Sequence, residues 1–279
     1  MQNIRGLEIK LQNTFHISDI HGSWFELQEM LKSVPNNTLI VFQGDYIDRG
    51  AFSLEVLTKV KELVENKEAV AIQGNHEQMF LQFLNNPTNN GEIFFENGGQ
   101  DTIASLLNME RYDVKINDVL SGKYAKQIIE KHKDLIDFIK ELPLYISMQH
   151  YVFVHAGINP KEENFRNSTD DDLLWIREDF HLHELKNNNV VFFGHTPIPY
   201  IQGGKVNVVW HNKNKNKFGI DGGCCFGRKL IGVHLVITNA SNYVTNFIET
   251  EDIIIPYSTK RAYGTNEISV IKHEPITIP

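Results

Sequence analysis

Cysteine is nearly absent from this chain: of 279 residues only Cys224 and Cys225 are cysteines, and they are neighbours. An ordinary disulfide needs Cα atoms about 4.4–6.8 Å apart with the Cβ atoms turned towards each other, so adjacent residues are poorly placed to form one. The pair reads as reduced thiols, and the expected compartment is the cytoplasm. Long apolar runs are missing too. No stretch approaches the roughly 20 residues of a membrane span, and the opening MQNIRGLEIKLQN lacks the apolar core of a signal peptide. The third absence is an excess of positive charge. Lys and Arg number 27 against 35 Asp and Glu, a formal charge of −8, which argues against a broad polyanion-binding face. Neither nucleic acid nor a membrane is expected as a partner. No internal repeat has a solenoid period, and no pattern specifies an oligomeric state.

With 41% hydrophobic and 22% charged residues, the chain has the composition of a globular protein that can bury a sizeable core. The first third alternates strands and helices: strands at 13–18, 38–43 and 68–73, helices at 23–33 and about 52–65. That order predicts βαβ units and a buried, mostly parallel sheet. A helix continues beyond Asn75. The cluster Asn85–Gly91 reads as a turn, and 92–108 and 124–140 as amphipathic helices. Residues 78–140 are thus expected to be a helical insertion within one domain spanning 1–279. Strands resume at 144–148, 151–155, 190–194, 206–210, 218–221, 230–238 and 243–248. The Lys/Asn-rich stretches 186–189 and 211–217 read as solvated turns, the second as an exposed hairpin.

Five apolar runs each end in a residue that could hold a metal: FHISDIHG, LIVFQGDYIDRG, AVAIQGNHE, YVFVHAG and VVFFGHTP. The candidates are Asp19 and His21, then Asp45, Asn75, His155 and His195. Ligands in α/β sheets bind beyond the carboxyl ends of strands, which is where all five segments are expected. Asp19 and His21 could reach one ion from a single turn, and Asp45 could bridge two. Asn75, His155 and His195 could complete a second ion. Mixed oxygen and nitrogen donors suit manganese, iron, zinc or nickel better than calcium. Two such ions about 3.5–4 Å apart would clamp a phosphoryl group and generate hydroxide near neutral pH.

The same turns carry further polar residues. Arg49 could fork onto phosphate oxygens. His76 follows Asn75, and Asp48 could orient it, giving an acid that protonates a leaving alkoxide. Taken singly, each segment has a plainer reading: GNHE alone could be a helix start with Asn75 as cap and Glu77 in the first turn. Five such segments in order make a purely structural origin improbable.

These residues resemble the phosphoprotein phosphatase family of dinuclear metallophosphoesterases, on its bacterial side. The matching segments are Asp19-Ile-His21-Gly22, Gly44-Asp45-Tyr-Ile-Asp48-Arg49-Gly50, Gly74-Asn75-His76-Glu77, His155-Ala156-Gly157 and Gly194-His195-Thr196, extended by Asp221-Gly222-Gly223-Cys224. The resemblance implies an α/β fold of the calcineurin-like type, a β-sandwich of mixed sheets flanked by helices. It implies a first metal held by Asp19, His21 and Asp45, and a second by Asp45, Asn75, His155 and His195. A hydroxide bridging them would attack phosphorus directly. It also implies phosphate binding by Arg49 and by Arg177 of Leu174-Trp175-Ile-Arg177, with His76 and Asp48 as the acid pair. The chain departs from the family's usual residues at Ser18, Gln73 and Gly222, none of them a ligand.

Manganese is the first choice of metal. Asp48 and Glu77 favour the branch that hydrolyses phosphoserine, phosphothreonine and sometimes phosphotyrosine, so a phosphorylated protein or peptide is the expected partner. The Cys224-Cys225 pair leans towards a second branch, the symmetrical diadenosine tetraphosphatases. A non-catalytic phosphate-binding scaffold ranks last. Packing beside the site is expected of the two thiols before redox control.

Overall fold

The apolar runs that end in candidate ligands form strands buried on both faces, and two sheets are needed to bury them. The computed structural model describes residues 5–204, 208–238, 252–261 and 267–278. Its strands are β1 (Gly6–Glu8), β2 (Thr14–Ile17), β3 (Leu39–Phe42), β4 (Ala69–Ala71), β5 (Tyr145–Met148), β6 (Tyr151–Val154), β7 (Val190–Phe193), β8 (Trp210–His211), β9 (Lys217–Gly219), β10 (Ile231–Val236), β11 (Ile253–Arg261), β12 (Ile268–Lys272) and β13 (Ile276–Thr277). One sheet has the order β1-β5-β6-β7-β9-β8; the other has β12-β11-β10-β2-β3-β4, with β13 paired to β11. Parallel pairing links β2, β3 and β4, as the βαβ reading expects. The sheet as a whole is mixed, because β10 joins β2 antiparallel and β11 follows it antiparallel. The second sheet is mixed too: β6 pairs antiparallel with β5 and parallel with β7.

The two sheets stack, and side chains alternate between the layers. Tyr151, Phe153, Val190 and Phe192 meet Val41, Val233 and Leu235 between the sheets. Val152, Val154, Val191 and Phe193 face outward under Leu173 and Phe180. On the opposite side Phe15, Ile17 and Phe42 pack beneath α1 (Trp24–Leu31), α2 (Ser53–Glu65) and α3 (Asn75–Asn85). This double burial explains the continuous apolar runs of the ligand-bearing strands.

Residues 75–141 are helical, with two differences from the sequence reading. The Asn85–Gly91 cluster is not an open turn. Pro87 starts a new helix, Pro87–Phe94, with the Asn86 side chain accepting from the Asn89 amide. Proline at the first helical position loses nothing, because its missing N–H would have no partner there. That helix then runs through Phe95–Gly99, where Gly98 at φ 103° breaks the helical path, into Gln100–Leu107. The 124–140 stretch is two helices, Lys123–Lys131 and Lys133–Glu141, separated at His132. Of the described part of that stretch, 208–210, only Trp210 is strand, pairing with Gly219 across the 212–216 turn. The strand expected at 243–248 lies outside the described residues. The short β1 and the C-terminal pairing on β11 were not anticipated.

One polar chain lies where the pattern calls for apolar side chains. Between the sheets, Thr14 Oγ1 lies 2.7 Å from His16 Nε2, and His16 Nδ1 lies 3.1 Å from Gln43 Oε1. Gln43 Nε2 donates to the carbonyls of Val154 (3.1 Å) and Phe192 (2.9 Å) in the other sheet. Burial lowers the His16 pKa to about 3, so the ring is neutral. Gln43 thus ties both sheets together one residue before Gly44-Asp45. Gln43→Leu removes these bonds without changing the side chain's bulk greatly; chemical denaturation should show a loss of about 1–3 kcal/mol from the unpaired buried groups.

Candidate metal centre and active site

Each ligand segment leaves its strand through a sharp turn, and the backbone shows what that requires. Asp19 (φ 51°), His21 (45°), Asp45 (56°), Asp48 (72°), Arg49 (68°) and His195 (64°) all occupy the left-handed region. Such conformations cost of order 1–3 kcal/mol each for non-glycine residues and persist only where the surroundings impose them. The turns interlock with almost no clearance. A Cβ on Gly50 would stand 2.1 Å from the His21 carbonyl, and one on Gly194 would stand 2.0 Å from Asp19 Oδ2.

The candidate ligands converge on Asp45. Its Oδ2 lies 3.4 Å from His21 Nε2 and 3.8 Å from His76 Nε2; its Oδ1 lies 3.4 Å from His155 Nε2. Two groups able to hold a cation result, His21-Asp45-His76 and Asp45-His155-His195. Asn75 Oδ1 joins the second group, 2.8 Å from His155 Nε2 and 2.9 Å from His195 Nδ1. The Asp19 carboxylate receives the His195 amide at 3.0 Å on both oxygens and the Ser18 hydroxyl, and His76 Nε2 lies beside the same Asp45 oxygen as His21. Asp19 remains close enough to raise the Asp45 pKa, and with Asp221 it extends the acidic cluster.

The fit to divalent ions rests on lone pairs and charge. His21 Nδ1–H donates to the Ile47 carbonyl at 2.7 Å, which leaves Nε2 as a lone-pair donor. The Arg49 guanidinium fills that position with positive charge, at 2.7 Å. His155 faces two acceptors at once, the Gln43 carbonyl and Asn75 Oδ1, although a neutral imidazole carries one N–H. His195 Nε2 is buried without a partner. Asp19, Asp45, Asp48, Glu77 and Asp221 are all buried, against the guanidinium groups of Arg49 and Arg177. Burial first, then Asp19 and Glu77, pushes Asp45 well above the ordinary carboxylate range. Burial first, then neighbouring His76 and Arg49, pushes His21 well below the imidazole range. Neutral imidazoles, clustered carboxylates and an amide oxygen form the donor set that divalent ions of the Mn–Zn series accept.

His76 and Asp48 form the pair expected of them, with Nδ1 and Oδ2 2.6 Å apart. Burial lowers the His76 pKa and raises that of Asp48. The Nδ1–Oδ2 contact fixes the ring and leaves Nε2 turned towards Asp45. Asp48 is fixed by the helical insertion: Thr102 Oγ1 donates to its Oδ1 at 2.5 Å, and the Asp48 amide donates back to Thr102 at 2.9 Å. Arg49 is held by the same insertion, its amide donating to the Gly98 carbonyl at 3.2 Å. Arg177 reaches the site from the outer layer and donates to the His195 carbonyl (3.2 Å) and to Thr196 Oγ1 (2.9 Å).

The sequence reading missed Thr102, Gln43 and the work of Glu77. Asn75 is the first residue of α3 rather than its cap. The Glu77 carboxylate, buried and raised to about 7, accepts the amides of Gly74, Asp45 and Tyr46 at 2.8–2.9 Å. Nothing local marks Thr102, which lies 54 residues from Asp48. The two thiols pack beside the site. Cys224 is buried and both are free; burial raises each to about 12, which keeps them protonated.

A model of the calcineurin-like phosphoesterase family matches residues 13–227. The chain belongs to this family. Calcineurin-like phosphoesterases are hydrolases with a dinuclear metal centre, the chemistry that the donor cluster around Asp45 fits. The asymmetrical bis(5'-nucleosyl)-tetraphosphatase PrpE of Oceanobacillus iheyensis is 29% identical over 241 residues, 77% of this chain and 85% of that one. Serine/threonine-protein phosphatase 2 of Salmonella typhimurium is 26% identical over 215 residues, 72% and 88%. A solved protein serine/threonine phosphatase from Saccharomyces cerevisiae shares the fold, with a TM-score of 0.51 at 15% identity over 98% of this chain and 84% of that one. No described helix is long and apolar enough to cross a membrane.

Two outcomes test the site as built. Thr102→Val strips two hydrogen bonds from Asp48; at about 1.5–3 kcal/mol for a bond to a charged group, turnover should fall about tenfold or more with metal content unchanged. Dialysis against a chelator should lower the melting temperature, and titration calorimetry with manganese should restore it at about two ions per chain, the number that a two-ion centre holds.

Proposed function

We propose that this phosphoesterase hydrolyses phosphate monoesters of serine and threonine side chains in proteins, with some capacity for phosphotyrosine. The observation that carries this reading is the buried His76–Asp48 pair, with its 2.6 Å contact. A serine or threonine oxygen leaves as a strongly basic alkoxide, and a positioned acid is what such a leaving group needs. A phosphoanhydride has a far weaker base to expel and needs that acid less.

Asp19, His21, Asp45, Asn75, His155 and His195 would hold two ions, manganese before iron, zinc or nickel. When bound, the ions supply Lewis acidity and an activated water nucleophile. The protein's own part is positional. Arg49 and Arg177 would bind the phosphoryl oxygens. Asp48 fixes the His76 ring, and Nε2–H passes its proton to the departing oxygen. No covalent enzyme intermediate is required, and the two protonated thiols offer no nucleophile. Its two free cysteines support a cytoplasmic setting.

A second reading, hydrolysis of dinucleoside tetraphosphates, is favoured by the PrpE relative. Both readings use the same centre and differ in the leaving group. His76→Asn separates them. On a phosphoserine peptide the variant should lose about 10²–10⁴-fold in turnover, the range of general acid catalysis, with metal content intact. On p-nitrophenyl phosphate, whose leaving group is a weak base, the loss should be far smaller. Rapid hydrolysis of diadenosine tetraphosphate by the wild type, with none of a phosphopeptide, would overturn the first reading in favour of the second.

A further inference from the structure

Beside the metal centre lies a cleft of about 350 Å³ that the hydrolytic chemistry leaves unused. Its floor is the main chain of two site turns, Gly22 after His21 and Gly50 after Arg49. One wall is the start of α1, with Trp24 and Phe25; the second is Phe52; the third is the turn 224–228. Phe25 and Phe52 meet edge to face at 5.1 Å, yet Phe25 stays 49% exposed. Phe226, 53% exposed, lies under the Arg49 guanidinium at 5.3 Å. The cleft's lining thus includes Gly50, the residue after Arg49, and its Phe25 wall is left open to solvent.

Charge defines the occupant further. Arg261 and Glu26 pair with each other at the mouth. Arg228 is exposed and forms no ion pair among the described residues, in a chain whose formal charge is −8. One unmatched cation stands over an aromatic slot, with a carboxylate already in the wall. That arrangement suits one apolar group and one negative charge. A polyphosphate chain would bring several negative charges towards Glu26.

We propose that this cleft is a specificity subsite for the polypeptide flanking the phosphorylated residue: an aromatic side chain enters the slot beside Phe25 and Phe52, and an adjacent acidic residue meets Arg228. The proposal rests on the phosphoprotein reading of the centre. Aromatic contacts and a matched charge are the usual sources of discrimination at such surfaces.

The test uses phosphothreonine peptides carrying Phe or Ala, and Asp or Lys, within roughly three residues of the phosphate, about 10 Å of extended chain. The Phe/Asp peptide should exceed the Ala/Lys peptide in kcat/KM by about tenfold or more. Arg228→Glu should invert the Asp-over-Lys preference, and Phe25→Ala should erase the Phe preference. Both variants should keep wild-type kinetics on p-nitrophenyl phosphate. Binding of the dephosphorylated Phe/Asp peptide should change Trp24 fluorescence, read as the difference from Trp24→Phe. If no phosphopeptide is hydrolysed but this binding persists and is lost in Arg228→Glu, the phosphoprotein reading falls and the subsite stands. If peptides are hydrolysed without regard to their flanks, or the two variants change nothing, the subsite falls. Competition by adenosine monophosphate that Arg228→Glu relieves would overturn it in favour of a nucleotide.

Discussion

The structure is organised around one buried carboxylate. Asp45 stands between two sets of imidazoles, with one oxygen towards His21 and His76 and the other towards His155. Such a group is costly in a low-dielectric interior unless positive charge accompanies it. Four more buried acids surround it: Asp19, Asp48, Glu77 and Asp221. Two arginines do not balance that charge, and the neutral imidazoles cannot. Two divalent ions would, which makes the fold's electrostatic deficit and its catalytic equipment the same feature.

Holding that deficit in place takes work from every layer. The strained turns at Asp19, His21, Asp45, Asp48, Arg49 and His195 are kept closed by backbone contacts tight enough to exclude a methyl group at Gly50 and Gly194. Glu77 ties the Asp45 turn to the start of α3 through three amides. Gln43 ties the two sheets together directly beneath. The helical insertion supplies Thr102 and Gly98 to the Asp48–Arg49 turn. The insertion acts as a buttress, because its kink at Gly98 faces the Arg49 backbone.

The centre's parts have different reach. In the proposed mechanism ions and arginines would address the phosphoryl group, which every substrate of such an enzyme shares. In the same proposed mechanism His76 and Asp48 would address the leaving oxygen and so distinguish esters from anhydrides. Only surfaces beyond these, such as the aromatic cleft at Phe25 and Phe52, can distinguish one phosphorylated partner from another. Relatives with different named substrates at similar identity are consistent with that separation.

The ligand segments were legible because strands buried on both faces must be apolar, so a polar residue at a strand end stands out. Order along the chain then made candidates of Asp19, His21, Asp45, Asn75, His155 and His195, and their neighbours added Arg49, Asp48 and His76. Helix and strand periods placed most elements of the first third. Other features lay beyond the sequence's reach. Asp19 accepting the His195 amide, Thr102 gripping Asp48 from 54 residues away, and Gln43 bridging two sheets are contacts between segments distant in the chain. The mixed pairing of the sheets, which the family resemblance implies, depends on β10 returning beside β2. Local chemistry determines which residues can bind a metal or carry a proton. Which atoms meet, and at what distance, is decided when the two sheets and the insertion close around Asp45, because packing and long-range hydrogen bonds set those positions and neither has a local signature.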